Sequence, residues 1–280
     1  MSVRGARVLI TGATRGMGRL FALRAAADGA RHLVLWGRDT TALEQVAQEA
    51  DRAGLTVRTA QVDLSDPAAL DAAAATLLED GLVPDVLVNN AGVVSSNAYA
   101  WQSAPEDAER TLAVNTAAPI RLTTRLLPAM LDDGGRPKRI LTVASASGLL
   151  PVPRMAAYAA SKAAVLHWSD SLRLELAQAG HDHVTVTTYS PSYVDTGMFA
   201  GARAPLLTPL LSPERAVELA WRGLLAGRPH VVAPASVHLA RVLRAVLPTG
   251  GFDRVAHLMG VHGSMAGFTG RGAGAQSSGR

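Results

Sequence analysis

Short apolar runs alternate along the chain with longer stretches in which apolar residues recur every three or four positions. The runs Arg7–Thr11, His32–Trp36, Thr56–Val62, Val86–Asn89, Arg139–Ala144, Val184–Tyr189 and His230–Ala233 read as strands. Several have continuous apolar stretches, such as VLI, LVLW and VLV, the pattern of strands covered on both faces. The periodic stretches near Gly18–Asp28, Thr41–Ala53, Ala68–Glu79, Pro105–Met130, Met155–Ala179 and Pro213–Ala226 read as helices. Alternation of the two implies an α/β architecture, a doubly wound parallel sheet with helices on both faces. No shift in composition and no internal repeat marks a boundary within the sheet. The expected organisation is one domain over 1–233, a helical extension over 234–270 and a disordered tail over 271–280.

Composition removes several classes of function. With no cysteine among its 280 residues, the chain has no disulfide, thiolate metal site or cysteine nucleophile. No leader precedes the first strand and no apolar run reaches the roughly 18 residues of a membrane span, so a cytoplasmic location is expected. The net charge of +4 is spread over dispersed arginines, without a basic and aromatic stripe, and no nucleic-acid partner is expected. The eight histidines show no metal-ligand spacing. His181 and His183 flank Asp182 in a turn and read as solvated loop residues, so no metal is expected. The GxSxG signature of a serine hydrolase is absent.

The first strand runs into TGATRGMG, Thr11 to Gly18. Glycines between a strand and a helix permit a tight turn and close approach to a pyrophosphate, and the helix offers its first amides to the anion. Gly12, Thr14, Arg15, Gly16, Met17 and Gly18 are therefore candidate cofactor residues. At the end of the second strand an acidic residue would bind a ribose 2′-hydroxyl, whereas an arginine accommodates a 2′-phosphate. Here Gly37 takes the acidic position and Arg38 follows, with Asp39 one step further along. Arg38 and Arg15 together point to NADP(H).

Tyr158 and Lys162 lie four residues apart in YAASK, and Ser145 lies thirteen residues before the tyrosine. A four-residue step places two side chains one turn apart on one helix face. An ammonium there is expected to lower the tyrosine pKa from about 10 toward that of a working acid/base. Of the 27 Lys+Arg residues only Lys138 and Lys162 are lysines, so lysine stands beside this tyrosine in a chain that otherwise uses arginine. Pro119, four residues after Asn115 on a predicted helix, has no amide to meet the Asn115 carbonyl.

TGATRGMG, VDL (Val62–Leu64), NNAG (Asn89–Gly92), Asn115, Ser145, Tyr158, Lys162 and PSYVDT (Pro191–Thr196) occur in that order. Together they resemble the short-chain dehydrogenase/reductase superfamily over roughly Arg7 to Ala233. LVLWGR, VNNAGVV, TVASASG and the stretch after Thr196 resemble its retinol/retinal reductase and 17β-hydroxysteroid dehydrogenase group. The resemblance implies a single-domain Rossmann fold, a nicotinamide cofactor and hydride transfer between an alcohol and a carbonyl. It implies that Tyr158 exchanges the proton, Lys162 tunes it and contacts the nicotinamide ribose, and Ser145 orients the carbonyl. Asn115 would hold a relay water through its main chain. It further implies that Asn89, Asn90, Ala91 and Gly92 support the adenosine side, that Asp63 lies near the adenine and that Val194 and Thr196 hold the nicotinamide carboxamide; Thr11, Leu64 and Pro191 are further cofactor candidates. Ser192 departs from the glycine usual after that proline.

The function expected is an NADPH-dependent carbonyl reductase or alcohol dehydrogenase for a small apolar aldehyde or ketone. The alternatives are a reductase of carrier-bound or polyketide 3-oxo substrates, and a non-catalytic dinucleotide-binding regulator. A homodimer or homotetramer is expected, by resemblance, through the helices around Pro105–Met130 and Met155–Ala179. The segment over 197–212 reads as a lid. SVHLARVLRAVL reads as an amphipathic helix with a basic side, which either roofs the pocket or touches a membrane surface.

Overall fold

A computed structural model describes residues 2–206 and 208–270; the tail expected over 271–280 lies outside them. One seven-stranded sheet forms from β1 (Arg7–Thr11), β2 (His32–Gly37), β3 (Thr56–Gln61), β4 (Val86–Asn89), β5 (Lys138–Val143), β6 (Val184–Pro191) and β7 (His230–Ala233). Their spatial order is β3-β2-β1-β4-β5-β6-β7 and every pairing is parallel. The chain winds outward from β1 in one direction and from β4 in the other. The crevice at the carboxyl ends of these two strands is where such a sheet binds ligands.

The helices are α1 (Gly16–Ala27), α2 (Thr40–Ala50), α3 (Pro67–Glu79), α4 (Pro105–Leu112), α5 (Ala118–Leu131), α6 (Ala156–Gln178), α7 (Pro213–Leu225), α8 (Ser236–Val246) and α9 (Thr249–Leu258). Local chemistry sets several starts. Asp66 accepts from the amides of Ala68 and Ala69, with Pro67 opening α3, and Ser212 accepts from the Arg215 amide ahead of α7. One face of the sheet packs Val8, Ile10 and Leu33 with Phe21 of α1 and Trp221 of α7. The other packs Leu9, Leu87 and Ile140 with Leu122 of α5 and Leu172 of α6. Only the outer strand β3 is largely exposed, and its residues are the polar TVRTAQ.

One expectation is revised. The helix expected over Pro105–Met130 is not continuous: a π-turn at Ala113–Ala117 separates α4 from α5. Pro119 supplies the reason, because the helix loses one amide and re-closes through the Ala118 amide onto the Ala113 carbonyl. The extension after β7 holds two helices, α8 and α9, divided at Pro248, which breaks the amide ladder after α8.

At the amino ends of the strands, Lys138 is fully buried and donates to Asp85 at 2.8 Å, and it also pairs with Asp133. Arg7 donates to Asp85 through its backbone amide at 2.8 Å and its guanidinium at 3.1 Å. The cluster ties β1, β4 and β5 together at one end. Burial opposes ionisation of Asp85, but the bonds from Arg7 and Lys138 outweigh it and hold the carboxyl at about 2.

Asp85→Asn is expected to destabilise the fold by about 3–5 kcal/mol, because it leaves buried cations short of a partner. A carboxyl held below its unfolded value of 3.8 contributes fully above that value and is lost as pH falls through its folded value of about 2. The difference in melting temperature between wild type and Asp85→Asn should therefore be constant near neutrality and narrow as the pH is lowered from about 4 to 2.

Candidate active site

A cleft of about 780 Å³ runs along the carboxyl ends of the strands, and an apolar cavity of about 190 Å³ adjoins it. At the cleft's phosphate end the turn after β1 is packed so tightly that a Cβ on Gly18 would lie 2.0 Å from the Gly12 carbonyl oxygen. Gly12 has φ +66, where glycine is favoured. The result is an α1 amino terminus that opens on the cleft. It carries no acidic residue in its first turn and no side-chain cap from Arg15. Such uncapped amides suit a pyrophosphate.

Behind this turn, the Thr11 hydroxyl accepts from the amides of Asn90 and Ala91, both at 3.1 Å, and the Asn90 side chain donates to the Thr11 carbonyl at 3.0 Å. These bonds fix the loop after β4 against the loop after β1. Thr14, Arg15, Met17, Gly37, Arg38, Asp63, Leu64, Asn90, Ala91, Gly92, Pro191, Val194 and Thr196 all line the cleft, with Gly12 and Gly18. Thr11, Gly16 and Asn89 do not. Thr11 shapes the loops, and Gly16 turns the chain into α1 with φ +54. Asn89 is a correction: its side chain points away from the cleft into the core and donates to Thr123 of α5 at 3.0 Å. Strand alternation explains it, since the neighbouring Asn90 takes the cleft side.

At the adenosine end, Arg15 and Arg38 are exposed and have no ion pair among the described residues. The Asp39 carboxylate is already engaged. It caps α2 by accepting from the Ala42 amide at 3.0 Å. Asp63 accepts from the Ser65 hydroxyl at 2.7 Å and amide at 2.9 Å, and these bonds, with Arg38 nearby, hold it below the usual carboxylate range.

Farther along, Asn115, Ser145, Tyr158 and Lys162 are all buried. Asn115 grips the loop after β4 twice: the Val93 amide donates to its Oδ1 at 2.8 Å, and its Nδ2 donates to the Val93 carbonyl at 2.9 Å. The same Nδ2 donates to Ser161 Oγ at 3.1 Å, which in turn donates to the Tyr158 carbonyl at 2.7 Å. Ser145 Oγ accepts from the amide and hydroxyl of Ser147. Its own proton is left to donate, and it shares a hydrogen bond with Tyr158.

The electrostatics of the Tyr158–Lys162 pair differ from the expectation. Burial pushes the Tyr158 phenol up to about 12, against the pull of the Ser145 hydrogen bond. Burial likewise pulls the Lys162 ammonium down to about 8. Lys162 Nζ sits 5.8 Å from the tyrosine ring centre and donates to the Val143 carbonyl at 2.8 Å. Desolvation therefore dominates over ammonium–phenol attraction. The phenol is a protonated donor throughout the neutral range.

Sequence reasoning missed the chain's return to the site. The turn Ser264–Thr269 folds back between the two cavities. Ser264 accepts from the Tyr193 hydroxyl at 2.9 Å, the Met265 carbonyl accepts from Asn97 Nδ2 at 2.9 Å, and the Thr269 amide donates to Ala200 at 2.9 Å. A Cβ on Gly201 would lie 2.0 Å from the Gly267 carbonyl oxygen, so the two backbones touch. Met265 packs on Met155 and Tyr158, and Phe268 lines the cleft beside Phe199. The only signal was the run of small residues around Met265 and Phe268, which has no helical or strand period.

A profile of the family described as short chain dehydrogenase matches residues 6–206. Estradiol 17-beta-dehydrogenase 11 of Mus musculus is 34% identical over 93% of this chain and 86% of its own. Retinol dehydrogenase 10 of Rattus norvegicus is 34% identical over 88% of this chain and 80% of its own. Among solved structures, a short-chain dehydrogenase from Sphingobium yanoikuyae in complex with NADPH is 31% identical, with a TM-score of 0.73 over 86% of this chain and 96% of its own. One from Burkholderia phymatum in complex with NAD is 26% identical, with a TM-score of 0.78 over 88% and 94%. Likeness in sequence and in fold along most of its length makes this chain a member of the short-chain dehydrogenase/reductase family, an oxidoreductase of the group that holds the 17β-hydroxysteroid and retinol dehydrogenases.

Proposed function

We propose that the chain is an NADPH-dependent carbonyl reductase and alcohol dehydrogenase for apolar aldehydes or ketones of retinoid, steroid or aryl-ketone build. One observation carries the reading. Ser145, Tyr158, Ser192 and Phe199 are the residues that the dinucleotide-sized cleft and the apolar cavity share. Two of them, Ser145 and Tyr158, offer their hydroxyls as donors where a nicotinamide ring and an apolar carbonyl would meet. The rest of the cavity is lined by side chains such as Val152, Met155, Leu243 and Phe252, which select against polar substrates.

A nicotinamide dinucleotide held in this cleft would supply the hydride for the carbonyl carbon. Ser145 donates a hydrogen bond to the carbonyl oxygen and holds it against Tyr158. The Tyr158 hydroxyl then gives that oxygen its proton, completing the alcohol, and takes it back in the reverse direction. Lys162, whose Nζ is 5.8 Å from the Tyr158 ring centre, and Asn115 would serve the reprotonation of the phenolate. Pro119, four residues on, has no amide to offer the Asn115 carbonyl, which is thereby suited to hold a relay water. Gly12, Gly18 and the α1 amides would hold the pyrophosphate. Arg15 and Arg38 would hold a 2′-phosphate, and Asp39, committed to its helix cap, does not oppose it. Leu112 of α4 and Leu174 of α6 are exposed, and we assign this face to a second copy of the chain.

Tyr158→Phe keeps the ring but removes the proton, so turnover should fall by about 10²–10⁴ with NADPH affinity little changed. Near-normal turnover in steady-state assays would overturn the assignment. Arg38→Ala combined with Arg15→Ala should raise the KM for NADPH by about ten- to hundredfold and leave that for NADH nearly unchanged. An aspartate at Gly37 is the wrong test, because a Cβ there would lie 2.6 Å from Thr14 Cγ2. Leu174→Arg should shift the native mass measured by light scattering toward the monomer.

A further inference from the structure

The mouth of the apolar cavity lies among exposed apolar side chains. Leu206 and Leu239 both line the cavity, yet they are 65% and 57% exposed. They form its rim. Around them the surface stays apolar. The Leu206 amide donates to the Met259 carbonyl at 2.9 Å, which sets Leu206 beside Leu258, itself 77% exposed. On α8, Leu239, Val242 and Val246 recur at i, i+3 and i+7 and form an exposed stripe that borders the cavity-lining positions Val237, Ala240 and Leu243.

The charge of the same segment is one-sided. Between residues 234 and 270 the chain has the arginines 241, 244 and 254 and a single acid, Asp253. Arg244 donates to the Leu149 carbonyl and so fastens α8 over the loop after Ser145. Arg241 and Arg254 are exposed and have no ion pair among the described residues. No helix of the described residues is long and apolar enough to cross a membrane. An apolar stripe flanked by unpaired arginines is the surface of a helix that lies in a lipid interface.

We propose that the face built from α8, the end of α9 and Leu206 docks on an anionic lipid surface, and that apolar substrate enters the cavity from the lipid between Leu206 and Leu239. The occupant is lipid, since two features converge. The arginines complement anionic headgroups, and the exposed leucines and valines, which surround the cavity mouth, complement acyl chains. An acidic carrier protein would use the arginines but leave the valine stripe in water. The entry route rests on the apolar-substrate reading above; the docking does not.

The test uses the full chain and vesicles of phosphatidylcholine alone or mixed with phosphatidylserine, read by co-sedimentation. Binding to the mixed vesicles, weakened by salt, is the expected result. Arg241→Glu with Arg254→Glu should weaken it by about fivefold or more per arginine, and Val242→Ser with Val246→Ser should weaken it independently. All four positions are exposed, and unchanged reduction of a small water-soluble ketone shows that the variants fold. Reduction of an apolar ketone dissolved in the vesicles should fall in both variants. Vesicle binding without that fall would overturn the entry route and keep the docking. Absence of vesicle binding in the wild type overturns the proposal. So does loss of self-association in the serine variant without vesicle binding, which would assign the face to a second copy. Loss of activity on carrier-linked substrate confined to the arginine variant, again without vesicle binding, would assign it to an acidic carrier.

Discussion

One buried amide joins the parts of this site. Asn115 holds both polar atoms of Val93 and reaches Ser161 on α6, so the loop after β4, the π-turn and the helix of Tyr158 share one side chain. A buried amide is costly unless its hydrogen bonds are made, and here donor and acceptor sides are both used. The geometry of the proton donor is thereby linked to that of the loop forming the cleft wall. A shift in either would strand polar atoms in the core. The π-turn is what allows Asn115 to sit there, because an unbroken α-helix over the same residues would carry its side chain past the loop.

The two lysines show how burial assigns roles. Both lie out of water, Lys138 among carboxylates at the amino ends of the strands and Lys162 against a lone carbonyl at the carboxyl ends. Lys138 is fully compensated and ties strands together. Lys162 is under-compensated, so its ammonium is held less tightly and remains responsive to what approaches it. One residue type thus serves as a clamp at one end of the sheet and as a titratable group at the other.

Most of the sheet and the polar site could be read from sequence. Strand-length apolar runs mark positions buried on both faces, and short-range spacings such as YAASK survive folding unchanged. The break at Ala113–Ala117 was half visible, since Pro119 announces a lost amide but not how the helix re-closes. Asn89 was misplaced because two adjacent asparagines cannot share a face of a strand, and their order depends on the pleat. The pKa of Tyr158 was misjudged because the spacing to Lys162 fixes a distance, whereas desolvation depends on everything packed around the phenol, Met265 and Phe199 included. The turn Ser264–Thr269 was missed because it has no period of its own. It is ordered by the backbone of Ala200 and Gly201, far away in sequence.

The two ends of the described chain lie toward opposite ends of the strands. The first strand starts in the ion-pair cluster around Asp85, whereas Phe268, Thr269 and Gly270 form part of the wall of the cleft. Handling of the protein is not symmetric in consequence. An affinity handle or a surface linkage at the amino end is directed away from the cleft. On the carboxyl side the last described residues already stand in the cleft wall, with Phe268 beside Phe199, a neighbour of Tyr158. Immobilised preparations should therefore be coupled by the amino end, and a fusion partner placed there leaves the route to the cavity clear.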